Sequence, residues 1–335
     1  MAKRQGKRTT VLENGVYIGS YSAAVGPKEA EGPLSKYFDK TFQDEFLGQS
    51  SFEKAESQLQ KISVTTTLKK ADLSPNDIDM IFAGDLLNQC IGSAYGLREL
   101  GIPFVGLYGA CSTMALSTIM ASTAVESGAA EKAIAVTSSH FCSSERQFRF
   151  PLEYGGQRPP TAQWTVTGSG SVLLSRNTNG IKVNAYTVGK IIDLSVTDMN
   201  NMGAAMAPAA ADTIFSFLED TNTKASDYDL VLTGDLGFTG SDLLLQLLKK
   251  KDITLPNYND CGMMIFDRQR QDVHSGGSGC GCSASVLCSY ILQKMTKGEL
   301  KNVLFCATGA LMSPTACMQG ESIPSIAHLI HLSAE

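Results

Sequence analysis

Residues Asp77–Leu86 read DIDMIFAGDL, and residues Asp227–Leu236 read DYDLVLTGDL. The two decamers align without a gap: acids in the lead, an apolar run, then Gly-Asp-Leu. A short apolar run that ends in a turn reads as a buried strand. A helix-like segment precedes each one, joined by SPND in the first case and TNTKASD in the second. The likeness continues downstream, in GACSTMALSTIMASTAVESGAAEKAIAVTSSH (Gly109–His140) and GCGCSASVLCSYILQKMTKGELKNVLFCATGA (Gly279–Ala310). Both open on a Gly/Cys/Ser turn, run on as an apolar helix, stop at Gly128 or Gly298 and resume as a strand (AIAVTSS, VLFCATG). Glycine just past a helical pattern is a C-terminal signal. Self-similarity at this scale means a duplicated unit, and the chain divides into halves at residues 1–180 and 181–335. Helices that are apolar on every face lie inside a protein. The prediction is an α/β fold in αβαβα layers, in which two sheets enclose two central helices and further helices cover the outside.

The 335 residues supply ample material for such a core. The formal net charge is −5, and the one basic cluster, MAKRQGKR at the start, reads as a solvated tail. No nucleic-acid partner is expected from that balance. No apolar run follows the tail, so no signal peptide is read. Two stretches carry no charged residue, Gly101–Val125 and Ser275–Gln293. A membrane span needs about 20 predominantly apolar residues, whereas these are broken by GACST and SGGSGCGCS. A strand followed by a buried helix explains them better. Nine unevenly spaced cysteines suit reduced thiols in a cytosolic protein, not a disulfide framework. The CxC of GSGCGCS has no second pair at ligand spacing, so no metal is expected, and it lacks the Gly-Lys-Ser/Thr ending of a phosphate loop.

YGACST, Tyr108–Thr113, sits between IPFVGL and MALSTIMASTAV. Two readings of Cys111 stand. It is a small buried apolar residue, or it is a nucleophile at a helix N-terminus, where the dipole favours the thiolate. The second predicts that Cys111 alkylates faster than the core cysteines. GIPFVGLYGACSTMALST resembles the nucleophile segment of thiolases and β-ketoacyl synthases, with Cys111 in the nucleophile's place. LFCATGA, with Cys306, resembles the segment that carries the second cysteine of thiolases. More narrowly, AAVGPKEAEGPL, AGDLLNQ, LYGACST, TSSHFCSSERQFRFPLEYGGQRP, TVTGSG, MGAAMAPAAADT, LTGDLG and SGGSGCGCSA together resemble the stage V sporulation protein AD family, thiolase-like proteins of endospore formers. The likeness spans nearly the whole chain.

That resemblance implies a thiolase-like fold and, by analogy, a homodimer. It implies binding of dipicolinic acid (pyridine-2,6-dicarboxylate), free or as its calcium chelate, for uptake into the developing spore and release in germination. The implied partners are other stage V sporulation membrane proteins, and the implied place is peripheral, on the cytoplasmic side of the forespore or spore inner membrane. No cofactor is implied. In ketoacyl synthases the segment matching VLTGDLG carries a catalytic histidine; Gly234 and Asp235 stand there in this chain. In thiolases a histidine follows the glycines of the segment matching GGSGCGCSA; glycine or serine stands there, with His274 a few residues early. A thiol is mostly protonated at neutral pH and needs such an imidazole. The expectation is therefore a non-enzymatic binding protein, and the alternative is an acyl-transferring enzyme that uses Cys111.

His140 ends the strand AIAVTSSH on the side where Cys111 emerges, and strand ends line the cleft in α/β folds. His328 and His331, in IAHLIHL, read as surface or sheet-edge residues. SSERQFRFPLEYGGQRP carries Arg146, Gln147, Arg149 and Tyr154 among Glu145, Glu153 and Arg158. It is either an exposed charged loop with internal ion pairs, or a set of planar guanidinium groups for a dianion's carboxylates. Lys28, in GPKE, is a further candidate cation. Thr167 and Ser169, in TVTGSGS, could donate hydroxyls or simply form a Gly-rich strand. Trp164 reads as packing. The expected ligand-binding set is Cys111, His140, Arg146, Gln147, Arg149, Tyr154, Lys28 and Thr167.

Overall fold

A computed structural model describes residues 2–148, 157–177 and 179–334. The first half runs β1 (Thr9–Val25), α1 (Phe52–Lys70), β2 (Met80–Gly84), β3 (Phe104–Gly106), α2 (Thr113–Ser127), β4 (Lys132–Ser139), α3 (Phe141–Phe148) and β5 (Gly168–Ser175). The second runs β6 (Ile181–Thr187), α4 (Met202–Thr221), β7 (Leu230–Thr233), α5 (Gly237–Lys249), β8 (Tyr258–Asp260), α6 (Cys280–Val286), β9 (Asn302–Ala310) and β10 (Ser325–Ser333). A π-type turn at Leu287–Ile291 and a last helical turn at Leu292–Thr296 extend α6.

The spatial order is β8-β7-β9-β10-β6-β1-β5-β4-β2-β3. Each half therefore repeats one arrangement, third-second-fourth-fifth-first, with the fifth strand antiparallel to both neighbours. The two sheets expected from the sequence are joined into one. β1 has 17 residues, enough to pair with β5 along Tyr17–Val25 and with β6 along Thr9–Ile18. The sheet wraps round α2 and α6, which touch each other and both halves of the sheet. Neither central helix has an amphipathic stripe, because every face is covered. α1 covers the outer face of the first half, and α4 and α5 that of the second. Gly128 closes α2 in the left-handed region (φ 81°) that glycine adopts without strain.

The duplicated acids have duplicated work. Asp77 accepts from the Ser74 N–H at 2.7 Å, and Asp227 from the Lys224 N–H at 2.9 Å. Asp79 accepts from the N–H groups of Glu131 and Lys132 (2.8 and 3.0 Å), and Asp229 from those of Lys301 and Asn302 (2.6 and 2.8 Å). Each Asp-x-Asp thus caps the turn that enters its strand and pins the start of the parallel neighbour. The last histidines depart from expectation. β10 lies between β9 and β6, so His328 is buried, with Nδ1 accepting from the Gly189 N–H at 3.2 Å. His331 packs edge-on against Tyr228, with ring centroids 5.2 Å apart. Burial lowers both imidazoles to about 4. Among the described residues, no helix is long and apolar enough to cross a membrane.

Candidate functional site

Cys111 stands at the tip of a strained turn. Ala110 before it is left-handed (φ 49°), a conformation that costs a non-glycine residue about 1–3 kcal/mol. Gly309 of β9 lies so close that a Cβ there would sit 2.4 Å from the Gly109 carbonyl oxygen. A strand of the second half is thereby pressed onto the nucleophile-like turn of the first. Above the thiol is a cavity of about 30 Å³, bounded by Tyr108, Glu145, Phe148, Thr165, Met202 and Ser278 among others. One water needs roughly 10–15 Å³, and ligand clefts run to roughly 300–1,000 Å³. The cavity has room for a water or two.

The group that faces Cys111 is Asp235, in the Gly-Asp-Leu that ends the second decamer. Its carboxylate is fully buried and accepts from the Gly279 N–H (2.8 Å), the Ser278 hydroxyl (3.2 Å) and the Thr308 hydroxyl (2.8 Å). Burial raises its carboxyl to about 6, against the pull of the thiol and these donors. The same burial pushes the Cys111 thiol well up, and the charge on Asp235 pushes it further. Glu145, another buried carboxylate, lines the cavity and accepts from the Thr165 hydroxyl at 3.0 Å. An acidic, dry wall opposes a thiolate, whatever the dipole of α2 contributes. The expected fast alkylation of Cys111 is therefore reversed. Under a limiting alkylating reagent, mass spectrometry should find half-buried Cys142 and Cys317 labelled first, with Cys111 as slow as the core thiols.

The other sequence candidates fall into separate places. His140 does not line the Cys111 cavity. Its Nδ1 accepts from the Cys142 N–H at 3.2 Å, so the proton sits on Nε2, which donates to the Glu45 carbonyl at 2.7 Å. Burial lowers this imidazole. Thr167 stands beside it, its hydroxyl accepting from the Phe141 N–H at 3.1 Å and reaching the Glu45 carboxylate at 3.4 Å. Arg146 pairs with Glu53 on the rim of an open groove of about 360 Å³. Gln147, in the same groove, is held by Leu86 and Asn88. Lys28 lies over the Trp164 ring, 3.9 Å from its centroid, so Trp164 does more than pack. Cys306 is enclosed in the apolar core beneath α4 and α5. Arg149 and Tyr154 lie outside the described residues. Asp235 was visible in the sequence only as the residue where a histidine is missing, and the repeat that marks it gives no hint of its reach across the molecule.

The model of the stage V sporulation protein AD family matches residues 6–333. Stage V sporulation protein AD of Bacillus subtilis (strain 168) is 48% identical over 327 residues, which cover 97% of this chain and 96% of that one. The chain belongs to this family. Among solved structures, the family's fold is shared with 3-oxoacyl-[acyl-carrier-protein] synthase III from Aquifex aeolicus VF5, at TM-score 0.56 and 12% identity, covering 95% of this chain and 100% of that one. It is shared with human mitochondrial 3-ketoacyl-CoA thiolase in complex with CoA, at TM-score 0.58 and 13% identity over 97% and 99% of the two chains. It is shared also with cerulenin-bound OleA of Xanthomonas campestris, at TM-score 0.60 and 12% identity over 96% and 97%. At such identities the likeness carries the thiolase-like fold alone.

Proposed function

We propose that this sporulation protein binds dipicolinic acid, free or as its calcium chelate, and hands it to or from membrane partners of the stage V system without turning over acyl thioesters. The observation that carries the non-catalytic part is the pairing of Cys111 with Asp235. A nucleophilic thiol needs a base to take its proton and donors for the oxyanion; a buried carboxylate in that place keeps the proton on sulfur. Membership of the sporulation family supports the ligand, as does the gathering of Lys28 and Arg158 on the Trp164 ring. Among the described residues no three His, Cys, Asp or Glu side chains group to hold a metal, so calcium enters on the ligand in this reading. The association is peripheral, through partners at the inner membrane's cytoplasmic face.

The protein works as a homodimer in this reading. β3 ends the sheet with all three residues exposed, and Tyr95, Phe104 and Tyr108 expose apolar surface. An unpaired edge of this kind is normally covered or blunted, and a second copy would cover it. The test combines calorimetry with dipicolinate, with and without calcium, and sedimentation of the free protein. Mass spectrometry follows incubation with acyl thioesters. Binding by a dimer with Cys111 unacylated is expected. Repeated turnover that disappears in Cys111→Ala would establish the acyl-transfer alternative instead.

A further inference from the structure

One ring gathers two cations. Trp164, the chain's only tryptophan, is stacked by Phe141 at 3.9 Å between centroids and 8° between planes. With that face occupied, the Lys28 ammonium takes the other, and the Arg158 guanidinium carbon lies 4.6 Å from the same centroid. The ring's quadrupole attracts both cations, but they repel each other, and Lys28 is held below its usual range by burial and then by Arg158.

Counter-charge acts on Lys28 from Asp272, Glu31 and Glu45, but none of them stands at ion-pair distance. Among the described residues Lys28 has no ion pair. Its neighbour Glu29 is buried and raised to about 8, and so is uncharged at neutral pH. Asp272 is shared: one oxygen lies 3.4 Å from Arg158 Nη2 and the other 2.8 Å from His274 Nε2. Arg158 Nη1 and Trp164 Nε1 are buried and have no hydrogen-bond partner among the described residues. Both are donors that cannot accept, and a buried orphan donor is costly. Arg158 also lines a cavity of about 390 Å³, together with Arg268, His274, Gln271 and the carboxylate of Asp272 among others. Gln271 donates to the Lys28 carbonyl at 2.7 Å, so the Lys28 loop is tied to the cavity wall. The cavity's size falls within the range of small-molecule clefts, unlike the space above Cys111.

A set of donors and cations with too few acceptors is complementary to a group that only accepts. We propose that Lys28, Arg158 and Trp164, with the cavity that Arg158 lines, form a seat for a small carboxylate anion, away from the acidic Cys111 cavity. Naming dipicolinate as the occupant rests on the function proposed above; the anion site itself does not. One carboxylate takes the orphan Arg158 N–H and the Lys28 ammonium, and the second faces Arg268 across the cavity.

Because there is one tryptophan, its emission excited near 295 nm reports on this site alone. Dipicolinate, benzene-1,3-dicarboxylate and inorganic phosphate are titrated into wild type, Lys28→Ala, Arg158→Ala and Arg158→Lys, followed by Trp164 emission and by calorimetry. Dipicolinate should change the emission, and either alanine variant should weaken binding by about ten- to a hundredfold. Arg158→Lys should recover only part of the loss, since an ammonium keeps the charge without the fork. Dipicolinate bound with wild-type affinity by both alanine variants would overturn the seat and leave the function standing. Failure of wild type to bind dipicolinate, with benzene-1,3-dicarboxylate still bound at Trp164, would remove the function and keep an anion site. No emission change with any of the three probes would overturn the site.

Discussion

Asp235→Asn should free the Cys111 thiol and loosen the fold at once. The carboxylate is the largest contributor after burial to the raised thiol, so removing its charge lets the thiolate form at lower pH. Alkylation of Cys111 at pH 8 should therefore be faster than in the wild type, because a larger share of the thiol is ionised. The same change breaks a closed network. The side chain accepts from Gly279, Ser278 and Thr308, and an amide presents an NH₂ to one of these donors. A buried polar group left without a partner costs roughly 1–3 kcal/mol, so the free energy of unfolding should drop by about that much. Asp235→Ala, which orphans every donor, should fall further. The measurements are urea denaturation and pH-resolved alkylation, read by mass spectrometry at Cys111. An unaltered alkylation profile in Asp235→Asn would show that burial alone raises the thiol and would withdraw the acid from its account.

The path from sequence to this site was open in one half and closed in the other. The repeat was legible because each strand is short, apolar and framed by acids whose jobs are local. Asp79 and Asp229 each bond N–H groups at the start of an adjacent strand, and the same pattern produces the same geometry twice. The final acids of the decamers are equivalent in sequence yet end in different partnerships. Asp85 stays within its own half, accepting from the Ser93 N–H at 2.7 Å and the Leu87 N–H at 2.9 Å. Asp235 crosses to the turn of the other half, a contact that exists only once β9 has docked on Gly109. The long first strand was hidden too. Gly15, Gly19 and a register shift between Val11 and Val16 interrupt its alternation, so nothing in TTVLENGVYIGSYSAAV announces a seam between sheets. His140 emerges from the strand end as expected, but its ring turns to the Glu45 carbonyl. Arg158 does not stand out in the sequence because its partners are apart in the chain: Lys28 belongs to the first loop, and a lone Trp164 reads as packing.

Stability should fall as the pH rises from 6.5 to 8.5. Among the described residues five buried carboxyls are shifted upward by burial: Glu29 to about 8, Glu56, which Asp85 also repels, to about 8, Asp260 to about 7, Asp235 to about 6, and Asp85 itself. A carboxyl raised in the folded state holds a proton that the unfolded chain has already released. Its contribution is therefore full below the ordinary carboxyl range near 4 and is lost as pH rises through the folded value. His328 and His331 work in the opposite sense. Lowered to about 4, they favour the folded state above the ordinary imidazole range near 6.5 and penalise it as pH falls toward 4. At pH 6.5 the unfolded imidazoles are still about half protonated, so the two histidines offset part of the carboxyl loss at the lower end of this window; from about 7.5 upward the carboxyls alone set the slope. Each contributes up to roughly 1.4 kcal/mol per pH unit below its folded value, so Glu29, Glu56 and the upper part of Asp260 together should remove on the order of 4 kcal/mol. Urea denaturation at pH 6.5, 7.5 and 8.5 measures it. Glu29→Gln and Glu56→Gln should each flatten the decline, because an amide has no proton to lose. In Glu56→Gln one oxygen still accepts from the Ser138 or Ser143 hydroxyl that the carboxyl now holds, so that variant should fold. A midpoint that holds steady or climbs between pH 6.5 and 8.5 would mean that these carboxyls ionise in place, with water or a counter-ion reaching them.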